Sequence, residues 1–482
     1  MKHIGRNIIS LLFSRVIASV ILFLIYTRLA QYLGPEASGQ FGVLSVYLTV
    51  FSFFVDLGMS QLVIKKVSED QTHAAKYLTN YFYIQTGLGV GFMILMDLLV
   101  VLSDYPGNVK SALYVAGFGL LFSSMSLPFR SIINAFQRLT VIAKVNFFNS
   151  VINGAFMVLA IAFHKNIFFL SFISVAVSIF DIIVYWIVVH KRFVNFSWKI
   201  DWKFVKQLFI ATLPFTLLTL FSVYNRIDTL VLSHLRDFVE VGYYSVAYKF
   251  WDALAFVPSI IGISLYPFYA HAINRGELGQ VKKGLETYLR YMAAIALPLS
   301  VGAYLLAKPI TVAFYGPAFA PAAPALWLLV TAVSVLILYC PINSLVISQQ
   351  TKKATWITGG NLLFNFVANI ILIAKYGFVA AACVTVASEV IQLIGYTYLA
   401  NKYVVKFNFF KTLAKPFFAA IIMGVAVKFL DQHSVWLAIA AGGIVYCIAL
   451  FVLRFFEKSD WELFRAAADI RKPLNVDTPP TA

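Results

Sequence analysis

Long apolar runs alternate with short polar breaks from one end of this chain to the other. Fourteen runs can be placed, centred near Leu22, Phe53, Gly91, Leu121, Val151, Ile179, Leu218, Val257, Ala296, Leu336, Phe366, Ala387, Ile421 and Ile444. A helix needs about 20 apolar residues to cross the hydrocarbon core, where backbone groups are satisfied only inside helices or a closed barrel. The runs have helical length, so the pattern predicts an all-α integral membrane protein with about fourteen transmembrane helices.

The polar breaks differ in charge, and Lys and Arg are retained on the cytoplasmic side of a membrane. With the N-terminus inside, alternate breaks hold 26 of the 38 basic residues, while the opposite ones hold six: Lys110, Lys165, Arg236, Lys308, Lys375 and Lys428. Both termini are therefore expected in the cytoplasm. Six further cations fall inside predicted spans: Arg15, Arg28 and Arg130 in the first half, then Arg226, Lys249 and Arg290 in the second.

Each charge at the bilayer centre costs roughly 2.5 to 3.5 kcal/mol even on a lenient insertion scale, so six lipid-exposed cations would cost on the order of 15 to 20 kcal/mol. That exceeds the folding stability of a typical protein, about 5 to 15 kcal/mol. The six are predicted to face an interior, either as substrate-contacting cations or as interhelical pairs and snorkelling side chains. Arg130 and Arg290 lie nearest the cytoplasmic interface. Deep acids are Asp56, Asp181, Asp228, Asp252 and Glu389, which suit either ion coupling or structural contacts, with Asp181 and Glu389 at matching places in the sixth and twelfth spans. Lys249 and Asp252 share a helix face at i, i+3 and are expected to pair, whereas Arg226 and Asp228, two apart, point in different directions.

Composition supports the membrane reading: 61% of residues are hydrophobic and 12% charged, with a mean hydropathy of +0.82, against about 25% charged in soluble domains. The net charge of +17 sits mostly in the breaks, so it argues for membrane orientation and against a nucleic-acid partner. Cys340, Cys383 and Cys447 lie in apolar runs without pairing or ligand spacing. The first run is too long for a signal-peptide core and is expected to stay as the first helix. No P-loop, metal spacing or nucleophile motif is present, and Gly87-Leu88-Gly89-Val90-Gly91 lies within an apolar span. The sequence therefore predicts a non-enzyme, with no catalytic residue and no metal.

A repeat relates the halves. Leu22-Phe23-Leu24-Ile25-Tyr26-Thr27-Arg28 is similar to Leu220-Phe221-Ser222-Val223-Tyr224-Asn225-Arg226, and Gly39-Gln40-Phe41 corresponds to Gly242-Tyr243-Tyr244. Two six-helix lobes follow, entered from the same side and related by an axis along the membrane normal. The expected organisation is an N-terminal lobe (1–190), a cytoplasmic interfacial linker (191–206), a second lobe (207–401), two additional helices (402–458) and a tail (459–482). In the linker, Phe193, Phe196, Trp198 and Trp202 alternate with basic residues, a pattern suited to the headgroup region. Pro128, Pro214, Pro258, Pro267 and Pro298 interrupt spans and permit bending.

Several segments carry a family resemblance. Thr27-Arg28-Leu29, Tyr32-Leu33-Gly34-Pro35-Glu36, Gly39-Gln40-Phe41-Gly42 and Asp56-Leu57-Gly58-Met59-Ser60-Gln61 resemble the opening of the polysaccharide transporter family, and Arg226-Ile227-Asp228-Thr229-Leu230-Val231-Leu232 with Val241-Gly242-Tyr243-Tyr244 resembles its second half. The resemblance implies two lobes around a central cavity, in the multidrug/oligosaccharidyl-lipid/polysaccharide exporter superfamily. It also implies a flippase of the bacterial cytoplasmic membrane that carries an undecaprenyl-diphosphate-linked oligosaccharide, such as an O-antigen repeat unit, to the outer leaflet. A polysaccharide polymerase and chain-length machinery are the expected protein partners, with membrane lipids around the chain; no cofactor is expected, and the deep carboxylates are candidate sites for a coupling proton or sodium ion. A lipid II flippase and a multidrug antiporter of the same superfamily are the alternatives.

Overall fold

A computed structural model describes residues 2–194, 199–220, 224–255, 258, 265, 269–430, 434–456 and 460; side chains are described from Ser19 onward, except at 213–215, 217–220 and 224–225. Phe196 and Trp198 of the linker, Pro267 and the tail beyond Asp460 lie outside the described residues. The described helices are α1 (Lys2–Asp56), α2 (Met59–Glu69), α3 (Ala74–Leu102), α4 (Gly107–Ala135), α5 (Leu139–Ala162), α6 (Ile167–Arg192), α7 (Trp202–Leu220), α8 (Tyr224–Leu235), α9 (Phe238–Leu254), α10 (Leu278–Tyr315), α11 (Ala323–Tyr403), α12 (Phe409–Leu430) and α13 (Val435–Val452). No strand occurs among the described residues. Nine of the described helical stretches are long and apolar enough to cross a membrane.

Two of them are longer than one crossing allows. At 1.5 Å per residue, the 81 residues of α11 would extend about 120 Å, four times a hydrocarbon core of about 30 Å. The helix is instead broken at Gln350 (φ −130°, ψ 43°) and Gly377 (φ 66°, ψ −151°), and so makes three crossings. Helix α1 is likewise broken at Gly34 (φ 74°), followed by Pro35. Glycine adopts this left-handed backbone without a Cβ penalty, and proline cannot continue the hydrogen-bond ladder. Helix α2 completes the second crossing after a turn at Leu57 (φ 48°) and Gly58 (φ 78°), while α7 and α8 share the seventh. Counted this way, the described helices make the fourteen crossings expected of a multi-pass membrane protein.

With this topology Lys65, Lys66, Lys191, Arg192, Lys282, Lys283, Lys352, Lys353 and Lys402 lie at one end of the bundle, the basic end. Toward the far end the apolar core runs continuously from one half to the other. There Val43, Tyr47, Val109 and Ala112 of the first half share a cluster with Leu232, Val241, Tyr244, Leu328, Leu329 and Val330 of the second.

At the basic end the core divides in two. One part is built from α2, α3, α4, α5 and α6, around Met59, Leu78, Ile132 and Tyr185, and among the described residues it reaches the later helices through α7. The other is built from the second half, around Tyr269, Leu285, Leu345 and Tyr396. Among the described residues the two halves are therefore joined at the far end and, apart from α7, separate toward the basic end.

Helices α12 and α13 lie outside this pairing, against α10 through Leu306, Ala420 and Met423. A buried ion pair fixes them further: Arg290 of α10 donates from Nη2 to both carboxylate oxygens of Asp460, at 2.7 and 2.8 Å, and Asp460 follows α13 in the chain.

Candidate functional site

The far-end seal is built where repeat-related residues meet. Gly39 of α1 and Gly242 of α9, equivalent in the two halves, lie against each other: a Cβ on Gly39 would strike the Phe238 carbonyl oxygen, and one on Gly242 would strike that of Pro35. One turn further, Gly42 faces Ser245. Only small residues allow this approach.

Polar contacts reinforce the seal. Tyr105 Oη lies 2.8 Å from Ser233 Oγ, and the His234 ring sits between Tyr47 Oη (3.3 Å from Nε2) and Tyr105 Oη (3.2 Å from Nδ1). Gln31 Nε2 donates to the Phe314 carbonyl at 2.7 Å. Each of these joins the first half to the second near the far end.

Below the seal, at mid-depth, the structure gathers part of the predicted site. Arg226 Nη2 donates to Asp252 Oδ1 at 2.6 Å, with both side chains about one-third accessible (30% and 36%). The guanidinium lies 4.4 Å from the centre of the Tyr248 ring. Lys249 Nζ stands 4.6 Å from the centre of the Tyr26 ring, on α1 of the opposite half. Asp228 points the other way, as its two-residue offset from Arg226 requires. It is buried, accepting from Tyr244 Oη at 2.5 Å and from the Thr229 amide at 2.6 Å.

One expectation is corrected here. The i, i+3 spacing predicts a Lys249–Asp252 pair, but Asp252 takes Arg226 from the neighbouring helix, and Lys249 has no carboxylate within ion-pair distance among the described residues. The cluster thus holds two cations and one acid.

The other predicted cations lie elsewhere. Arg28 is exposed two turns from the Gly34 break and donates to Gln31 Oε1 at 3.1 Å. Arg130 stands within electrostatic reach of Asp181 in the first half. Arg290 is held by Asp460. The side chain of Arg15 lies outside the described residues.

Of the acids, Asp56 caps the turn before α2, accepting from the Ser60 amide (3.0 Å), Ser60 Oγ (2.6 Å) and Tyr81 Oη (2.9 Å). Asp181 accepts from Asn149 at 2.9 Å. Glu389, buried in the second half, accepts from Tyr339 Oη at 2.6 Å.

Sequence reasoning missed the aromatic partners Tyr26, Tyr244 and Tyr248. It also missed a buried polar column on the eleventh crossing: Asn361, Asn365 and Asn369, with Asn369 donating to Asn365 and Asn365 to Ser388, each at 2.9 Å. The signal was available, since asparagines four apart in an apolar run share one helix face.

A family model described as polysaccharide biosynthesis protein matches residues 4–272, more than half of the chain. The chain belongs to the polysaccharide biosynthesis protein family. The matched region of this family member contains Tyr26, Gly39, Arg226, Gly242, Lys249 and Asp252. A second model, MatE, matches residues 215–374.

An uncharacterized membrane protein of Methanocaldococcus jannaschii is 24% identical over 245 residues, covering 48% of this chain and 47% of that protein, so the chain spans about half the length of this curated relative. Among solved structures, the lipid II flippase MurJ in an inward closed conformation aligns with a TM-score of 0.77 at 16% identity, over 92% of this chain and 99% of MurJ. An inward-facing multidrug resistance MATE family transporter aligns with a TM-score of 0.58 at 13% identity, over 79% and 93% of the two chains. At these identities the likeness is one of fold. The titles of these two solved neighbours describe a flippase and a multidrug resistance transporter.

Proposed function

We propose that the protein flips an undecaprenyl-diphosphate-linked oligosaccharide, an O-antigen repeat unit or similar, from the inner to the outer leaflet of the bacterial cytoplasmic membrane. It does so by alternating access, without covalent chemistry. The observation that carries the reading is the placement of Arg226, Lys249 and Asp252 where the shared far-end core gives way to two separate ones.

A diphosphate is polyanionic and pairs strongly with cations where water is scarce. With Asp252 bonded to Arg226, Lys249 is the cluster's cation without a direct carboxylate contact among the described residues, with Asp252 still within electrostatic reach. Arg226 can join a phosphate by sharing its hydrogens between Asp252 and the ligand. In this reading the basic end faces the cytoplasm with both termini, and the lobes divide at 190/191 and 206/207, with the additional pair beginning at 402. A coupling proton or sodium ion would be held by buried oxygen donors, Asp228 and Glu389 among them. A polymerase and chain-length machinery would take the cargo on the outer side.

Two other cargoes have support. Lipid II carries the same lipid diphosphate, and the fold is similar to MurJ. A cationic drug would find Asp252 in the cluster. Deletion of the gene distinguishes the three. Loss of one surface polysaccharide, with its lipid-linked unit accumulating on the inner leaflet, is the expected result. Accumulation of peptidoglycan precursor, or drug sensitivity with polysaccharide intact, would replace it with the corresponding alternative.

A further inference from the structure

A second site lies on the outer surface of the first half, away from the cluster below the seal. Between α5 and α6, toward the basic end, runs a groove of about 400 Å³. Its walls are Val141 and Val145 from one helix and Val184 and Val188 from the other. These follow the i, i+4 spacing that keeps residues on one helix face. Phe148 and Phe180 close its inner end, with ring centroids 6.1 Å apart.

The opposite end carries charge. Arg192 lines the groove there, while Lys144 stands partway along it, about 6 Å along α5 from Phe148 at 1.5 Å per residue; both are exposed, and neither has a carboxylate partner among the described residues. From Phe180 to Arg192 the groove runs along α6 for about 18 Å, at 1.5 Å per residue. One leaflet of a core about 30 Å thick spans about 15 Å. The apolar channel thus matches one leaflet in depth, with Arg192 at the level of that leaflet's headgroups and Lys144 set deeper, its long stem extending the amine toward them.

Its surroundings fit a lipid. Phe147, Val151 and Ile183, flanking the groove on α5 and α6, are exposed apolar side chains. Basic pockets between helices at a cytoplasmic interface suit anionic headgroups.

We propose that this groove binds an anionic phospholipid of the surrounding bilayer, an acyl chain between α5 and α6 and the phosphate between Lys144 and Arg192. The bound chain fills the seam next to the Asn149–Asp181 hydrogen bond and braces the two helices together.

The test uses the full chain, purified in detergent and stripped of lipid, with phosphatidylglycerol and phosphatidylcholine titrated separately by native mass spectrometry. Phosphatidylglycerol is expected to bind at least tenfold more tightly. Val184→Trp, which fills the groove, and the double variant Lys144→Gln/Arg192→Gln should each remove that preference, while Lys282→Gln/Lys283→Gln at the same end of the other half keeps it.

Equal binding of the two lipids by the unaltered chain would overturn the proposal, as would undiminished preference in Val184→Trp. If the variants fail to fold, a photoreactive acyl-chain phosphatidylglycerol is applied to the unaltered protein. Adducts are expected within 141–148 and 180–192, and adducts confined to other segments would count against the site. Displacement of the bound lipid by undecaprenyl diphosphate at equal concentration would assign the groove to cargo instead.

Discussion

At the residue scale, the cluster below the seal turns on who neutralises whom. Lys249→Ala should reduce export at least tenfold with membrane abundance unchanged, measured by complementation of a deletion strain, while Lys249→Arg should retain a substantial part. Arg226→Ala removes a cation and also strands Asp252, so it should lower both export and thermal stability. Adding Asp252→Ala should recover stability but not export, the pattern a double-mutant cycle separates. The divergence of Arg226 from Asp228 was legible in the sequence, because a two-residue offset places them on different faces of one helix. The Arg226–Asp252 pair was not, since it depends on how α8 packs against α9. Shared-face spacing made Lys249 and Asp252 compatible but could not reveal a competing cation on another helix.

At the element scale, the seal between α1 and α9 tolerates no added side chain. Gly242→Val should force the helices apart, at a cost of roughly 1 to 3 kcal/mol for overpacking. The measurement is labelling of a cysteine placed beside Tyr105 by a membrane-impermeant reagent, expected to rise in the variant.

The described end of the linker, from residue 199, makes a pH-dependent contact. Asp201 pairs with Lys76 at 2.8 Å, and this hydrogen bond, together with the Phe204 amide, holds its carboxyl below the usual range. A depressed folded value means the contact is present above the unfolded pKa, about 3.9, and is lost as pH falls through the lower folded value. Hydrogen exchange over 199–206 should therefore rise only below about pH 4, and Asp201→Asn should show the raised exchange at neutral pH. The fourteen crossings were legible because lipid leaves the backbone few alternatives to helix. The break at Gly34 was marked by its Gly-Pro pair, whereas nothing in the local sequence marked Gln350.

At the scale of the whole molecule, the joined far end and divided basic end are one arrangement, and the proposed flipping cycle requires a second. In an inside-negative membrane, moving two negative charges outward is favourable by about 4.6 kcal/mol per 100 mV. In proteoliposomes, a potassium diffusion potential of that sign should speed outward movement of a diphosphate-linked cargo, and reversing it should slow transport. Indifference to voltage would mean the charge does not cross uncompensated.

The Arg290–Asp460 pair bears on the same scale. It ties the stretch just beyond α13 to the core of the second half, so the last two crossings should travel with that half as passengers rather than as a hinge. A chain cut after residue 459 would take the bidentate carboxylate from a buried guanidinium, a loss of about 3 to 5 kcal/mol, visible as a lower melting temperature. Tags belong beyond this anchor, and trimming the terminus for crystallisation should stop short of it.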